Sequence, residues 1–394
     1  MIIMLENLTR LLRLFSKAGS CLFLPAYGWT ISQLQRLKYQ KQEVDYPIDF
    51  VITWVDGSDP EWIKNKELYI GELTDIEENT DARYRDWGIL HYWFRAVEKY
   101  APWVRKVFFV TCGQKPAWLD LSYEKVVFVN HEDFIPEEYL PTFNSRTIEM
   151  NLWRINGLSE HFIYFNDDVF LNLPVKPEDF YTNGYPKLCS LAFPFYFHTP
   201  NSGNVWKRPL LNDIGIINDM FDIRQVIQNC PEKFFSYKYG RMALYNLRVY
   251  VDSYMAGMYF AHAPYTYLRS TFAEIWSAHS ELMNRSCSYR FRNGNQVTVL
   301  LPMLWMIFQG KYEPVEPGYY GKTIDLNGKS IQRIAEILQS EAKSVCLNDS
   351  QNTDAEDEET LQRISDELHR VMELKFPDQS KFELSKIANA EVQT

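Results

Sequence analysis

Residues 48–55, IDFVITWV, constrain the fold most: the run is apolar almost without interruption and closes at once in Asp56-Gly57-Ser58-Asp59-Pro60. An apolar segment without alternation, bounded by turn formers, fits a strand buried on both faces, the habit of parallel sheets. Runs of the same kind recur at 106–111 (KVFFVT), 125–129 (KVVFV) and 161–166 (HFIYFN). Helical patterns lie between them at 88–100, stopped by Pro102, and at 145–158, where Ser145 is a candidate cap. This alternation predicts an α/β protein with a doubly wound, Rossmann-like sheet and crossover helices spanning 47–174.

The remaining 394-residue chain divides by texture. Residues 175–259 are irregular and aromatic (FPFYF, KFFSYKYG), as expected of an insertion or lid-like acceptor region. Residues 260–349 would complete the catalytic domain, with 261–309 helical around a loop. Residues 350–394 would form an acidic loop, a helix near 358–374 and a fraying tail. At the other end, 1–46 is basic and amphipathic, with Ile2, Leu5, Leu8, Leu12 and Phe15 spaced three and four apart among Arg10 and Arg13. No run reaches the roughly 18–20 apolar residues of a spanning helix, and Glu6 with two arginines interrupts any secretory signal. Two readings stay open for this segment: packing on its own domain, or peripheral contact with the inner face of the plasma membrane by a cytoplasmic protein.

Composition excludes several function classes. A net charge of −10 argues against nucleic acid, and 15% aromatic residues argue against disorder. Six scattered cysteines without a CxxC pair fit neither a zinc site nor a disulfide framework, so reduced thiols are expected.

Ligands of open α/β sheets bind beyond the carboxyl ends of the strands. Asp56 and Asp59 follow the first strand, and Asp167 and Asp168 follow the fourth. Adjacent aspartates leaving a strand either cap a turn or hold a hard divalent cation, Mg²⁺ or Mn²⁺, which in turn bridges diphosphate oxygens. Arginines cluster at Arg83-Tyr84-Arg85-Asp86 and Tyr289-Arg290-Phe291-Arg292. Their planar guanidinium groups suit phosphate, although a solvated charge or structural ion pair is the ordinary use of any one of them. His262, in FAHAPY, is either a satisfied structural histidine or a general base.

Together these strings resemble the Stealth family. IDFVITWVDGSDPEW (48–62) is similar to its first conserved block, RYRDWG through FIYFNDDVFL (83–171) to its second, FAHAPYTYLRS with RFRNG (260–294) to its third, and VCLNDS (345–350) to its fourth. Members include bacterial capsular polysaccharide phosphotransferases and the catalytic subunit of the animal lysosomal-enzyme N-acetylglucosamine-1-phosphotransferase. The resemblance implies a glycosyltransferase-A-like fold and transfer of a sugar-1-phosphate from a UDP-sugar to a hydroxyl of a growing capsular or exopolysaccharide chain, releasing UMP. The matching site positions are Asp56, Gly57, Asp59, Arg83, Asp86, Asn144, Ser145, Asn166, Asp167, Asp168, His262 and Arg292. His262 would be the base, with Asp167 second to it, and Arg290 would join in binding phosphate. Two rivals are a metal-dependent glycosyltransferase releasing UDP and a non-catalytic carbohydrate-binding assembly protein. The sequence departs from the family where an acidic residue usually follows the second arginine of the third block; here stands Asn293-Gly294-Asn295-Gln296. The large recognition insertions of the animal enzyme are also missing, which implies a glycan acceptor.

Overall fold

The computed structural model describes residues 23–38, 43–74, 76, 79–195 and 207–385. The helix expected at 2–16 and the tail beyond 385 lie outside these residues. The chain divides into two compact units, one of residues 46–177, 261–296 and 320–394, the other of 1–45, 178–260 and 297–319.

The larger unit is built on a five-stranded sheet. Strands β1 (Ile48–Thr53), β2 (Val107–Thr111), β3 (Val126–Asn130) and β4 (His161–Phe165) run parallel in the order β3-β2-β1-β4, and β8 (Tyr265–Leu268) closes the β4 edge antiparallel. β1 is central, and its Phe50, Val51 and Ile52 are wholly buried, as its unbroken apolar run requires. The helix Leu90–Tyr100 covers one face: Trp93 and Phe94 have no exposure, and Trp93 meets Phe50 and Phe165 at centroid distances of 6.5 and 5.3 Å. The one charge inside β1, Asp49, takes Arg105 Nε at 2.8 Å and Ser159 N at 2.8 Å, so it is buried with partners rather than alone.

A second sheet joins β10 (Gly321–Asp325), β11 (Ser344–Asn348) and β5 (Val169–Leu171). Because β5 follows β4 after three residues, Asn166-Asp167-Asp168 is the turn that links the two sheets. The C-terminal helix Glu358–Lys375 packs beside the helix Leu90–Tyr100, where Arg95 donates to Glu383 Oε1 at 2.9 Å and to Phe376 O at 2.8 Å.

The sequence expectation fails at three places here. Residues 265–268 (YTYL) are a strand, not part of a helix, because alternate side chains pack along the β4 edge and all four residues are buried. The helix expected at 145–158 ends at Asn151 and continues as a single 3₁₀ turn, Leu152–Arg154. Its cap is Asn144, whose side chain accepts from Arg146 N, and not Ser145.

The smaller unit is mostly helical, although its sequence looks irregular. Helices Arg208–Met220, Ile223–Asn229, Tyr245–Asp252 and Leu300–Phe308 dominate, with a small sheet of β6 (Tyr181–Thr182), β7 (Tyr185–Leu188) and β9 (Glu313–Pro314). The expected boundary shifts as well. Residues 297–319 belong here rather than to the catalytic part, because LLPMLWMIF is apolar on all sides and is buried against Arg208–Met220. The helix Phe23–Lys38 packs on Pro231–Phe234, so close that a Cβ on Gly28 would stand 2.3 Å from Pro231 O. No described helix is long and apolar enough to cross a membrane.

Replacing the central Phe50 leaves a cavity between the sheet and the Trp93 helix. Phe50→Ala is expected to cost about 3–5 kcal/mol in urea unfolding; a loss below about 1 kcal/mol would show that the site collapses freely.

Candidate active site

Strand pairing assembles the centre of the site. Cys346 of β11 sits opposite Val169, the first residue of β5, and Leu347 N donates to Asp168 O at 2.9 Å. This register brings the Cys346 thiol to 3.3 Å from Asp168 Oδ2, to which it donates. From the loop before β8, His262 places Nε2 3.5 Å from Asp168 Oδ1 and 2.7 Å from Asn166 Nδ2. With the Asn166 amide as donor, Nε2 carries the lone pair and the ring proton is assigned to Nδ1. Asp168, His262, Asp167, Asn166, Arg83 and Arg292 all line one cavity of about 240 Å³.

Carboxylates crowd this cavity. Asp86, Asp167, Asp168 and Asp349 all line it. Burial first, and then the neighbouring Asp168, push the Asp167 carboxyl well above its ordinary range, with Asp86 and Asp349 adding to the effect. Burial also pushes Asp349 up to about 6, although Arg85 holds it with Nη1 at 2.7–2.8 Å from both oxygens. Arg85 reaches Asp354 too, at 2.8 Å, so its charge is engaged in joining the second block to the fourth.

Arg292 arrives from a loop whose backbone is fixed by Asn79, which accepts from Arg292 N and donates to Arg292 O, both at 3.0 Å. Its Nη2 donates to Ser145 Oγ at 2.7 Å. Asn144 pins the same loop by donating to Tyr289 O, Phe291 O and Gln296 Oε1 at 2.8–3.0 Å. Asn144 is fully buried, so it shapes the cavity wall and has no hydrogen left for a substrate.

The other expected residues stand outside this cavity. Asp59 caps the helix Pro60–Leu68 by accepting from Glu61 N and Trp62 N, and with Gln114 as a further donor its carboxyl falls below the usual value. Asp56 accepts from Ser58 N and Oγ in a turn. Gly57 donates to Tyr84 O at 3.0 Å, and a Cβ there would stand 2.2 Å from that oxygen, so glycine is needed to bring the Arg83–Asp86 segment close. Arg290 pairs with Glu72 at 3.2 Å and donates to Pro141 O at 2.7 Å, a structural use.

The aspartate pair also divides its labour. Among the described residues, Asp168, His262 and Cys346 bring donor atoms within 4.8 Å of one another, a cluster that does not include Asp167. Asp168 Oδ1 is buried and accepts no hydrogen bond, an arrangement that fits a cation. A mixed oxygen, nitrogen and sulfur set suits Mn²⁺ better than Mg²⁺, which demands oxygen ligands in a near-ideal octahedron. Burial and then Asp168 raise the Cys346 thiol well above its ordinary range, so Asp168 is the firmest donor.

A groove of about 940 Å³ continues from the cavity, sharing Trp62, Cys112, His131, Thr142 and Phe143 with it. Four carboxylates (Asp59, Glu61, Glu132 and Glu137) and no lysine or arginine line it.

The sequence reasoning missed Cys346, Asp349, Arg85 and Glu149. The first two stand inside VCLNDS and the third inside RYRD, strings already singled out. Glu149 has only its place one helical turn after Ser145 to announce it.

Fold and site together define an α/β protein with a carboxylate-rich, guanidinium-bearing cavity beyond its strand ends. The chain belongs to the Stealth family. Models of Stealth conserved regions 1, 2 and 4 match residues 46–74, 83–188 and 335–393. A capsular polysaccharide phosphotransferase of Streptococcus pneumoniae, WcwK, is 38% identical over 85% of this chain and 98% of its own length. The receptor polysaccharide phosphotransferase WefC of Streptococcus oralis is 38% identical over 86% and 99%. The exopolysaccharide phosphotransferase cps2G of Lactiplantibacillus plantarum is 34% identical over 86% and 96%. Among solved structures, apo WbbM, a bifunctional glycosyltransferase, overlaps 89% of this chain and 52% of its own at 8% identity and a TM-score of 0.36, too loosely to define the fold.

His131, at the end of β3, offers a test of the site's burial. Desolvation lowers it to about 4. The folded state therefore favours the neutral ring, and the stability this contributes is present above the unfolded value near 6.5 and lost as pH falls towards 4. Urea unfolding of wild type should weaken by up to about 3 kcal/mol across that window, and His131→Phe should flatten the profile; equal slopes would refute the buried neutral ring.

Proposed function

We propose that this protein transfers a sugar-1-phosphate from a UDP-sugar to a hydroxyl of a capsular or exopolysaccharide chain. The observation that carries the reading is the convergence of Asp168, His262, Arg83 and Arg292 on one cavity, in a chain whose relatives are named polysaccharide phosphotransferases. The acceptor oxygen bonds to the sugar-bearing phosphorus, and the bond from that phosphorus to the bridging oxygen breaks. UMP leaves with the electron pair, and the product is a phosphodiester.

Each residue answers one demand of that step. Phosphoryl transfer needs positioning, charge compensation and a base for the incoming hydroxyl. The Nε2 lone pair of His262 takes the hydroxyl proton. Arg292 and Arg83 face the phosphate oxygens with donors that keep their charge at any working pH. Asp168 would hold a divalent cation, which when bound offsets the charge of the diphosphate, and the His262 lone pair stays with the hydroxyl proton. Without positive groups, a donor carrying two negative charges would not enter a cavity already crowded with carboxyls. The adjoining groove, lacking basic residues, suits an uncharged, hydroxyl-rich portion of a substrate.

Incubation of the purified protein with a panel of UDP-sugars, Mn²⁺ and acceptor glycan is expected to release UMP, identified by mass spectrometry. UDP as the product would establish glycosyl transfer instead, and no turnover with any donor would favour a binding protein. His262→Ala is expected to lower kcat by about 10²–10⁴-fold while leaving UDP-sugar affinity nearly unchanged. Loss of both in equal measure would remove the base assignment.

A further inference from the structure

The carboxylate that the 293–296 segment lacks is present on another element. Glu149 projects from the helix Ser145–Asn151 and is 5% exposed; burial raises its carboxyl, and the charges of Arg292 and then Arg146 oppose that rise. Among the described residues Arg292 makes no direct ion pair. Its Nη2 donates to Ser145 Oγ at 2.7 Å, and Ser145 stands one helical turn before Glu149 on the same helix face. Behind Glu149, Tyr164 Oη donates to Oε1 at 3.2 Å and lies 2.9 Å from Thr53 Oγ1 at the end of β1. Polar contacts thus reach Ser145 from the guanidinium and Glu149 from the end of the central strand, the two meeting on one face of the helix. The capping by Asn144 leaves the Ser145 hydroxyl available to Arg292.

We propose that Glu149 is the positioning residue for Arg292, orienting the guanidinium towards the donor's diphosphate through Ser145. This rests on the phosphotransfer reading, in which Arg292 meets that diphosphate. Glu149 itself lines no part of the cavity, so it acts only through its neighbours. The helical spacing of Ser145 and Glu149 puts both on one face, so the carboxyl is placed beside the hydroxyl that receives Arg292.

The test is calorimetric titration of the full chain with UDP and, separately, uridine in Mn²⁺ buffer. Wild type, Glu149→Gln, Ser145→Ala, Arg292→Ala and the combined Glu149→Gln/Arg292→Ala chain are compared. The carboxyl beside Ser145 and Arg292 is lost, so Glu149→Gln should weaken UDP about 10–100-fold and leave uridine unchanged. Once Arg292 is replaced, adding Glu149→Gln should weaken UDP no further. Ser145→Ala should show the same diphosphate-selective loss and serves if Glu149→Gln does not fold. Equal losses for UDP and uridine, additive losses in the combined chain, or unchanged UDP affinity would overturn the proposal. If wild type fails to bind UDP, the phosphotransfer reading falls and takes this with it. If wild type binds UDP and releases UMP while Glu149→Gln and Ser145→Ala match it, only the positioning role is lost.

Discussion

Mutual repulsion among carboxyl groups is the constraint around which the cavity is organised. Asp86, Asp167, Asp168 and Asp349 face a small space, and the partial burial of Asp167, Asp168 and Asp349 thins the water that would otherwise screen them. The structure answers in three ways. Arg85 neutralises Asp349 directly, Asp167 is driven towards its protonated form, and Asp168 keeps one buried oxygen without a hydrogen bond. That last atom is the one the proposed cation would meet. A site that repels itself when empty favours substrates that arrive with positive charge alongside.

The turn at 166–168 serves as both hinge pin and functional group. It must leave β4, enter β5 and present three polar side chains within three residues. The pairing of β5 with β11 fixes its far side, and the antiparallel β8 brings His262 to its near side. Side chains carried by regular strands are held more firmly than those on free loops, which suits chemistry that depends on alignment.

Most of the sheet was legible because its strands are buried on both faces and so carry unbroken apolar runs. β1, β2, β3 and β4 all fall within a residue or two of the expected spans. β8 was not legible: YTYL sits among helical neighbours and becomes a strand only because the β4 edge is open to it. The helical unit of 178–260 hid for a different reason. Its aromatic residues fill a core made by segments far apart in sequence, so no local period announces them. In the site, Asp168, His262, Arg83 and Arg292 could be chosen from residue type and resemblance. What could not be chosen was function by neighbour. Asp59 looks like a ligand in sequence and is a helix cap in space, while Cys346 looks like filler and stands against Asp168.

The helix Glu358–Lys375 and the Arg85 link to Asp349 also have a consequence for biosynthesis. Groups lining the cavity are drawn from Thr53 through to Asp349. During translation, therefore, an emerging polypeptide owns no finished pocket until nearly its whole length has left the ribosome. Early fragments would carry the acidic turn without His262 and Arg292, the partners that the later half of the chain brings to it.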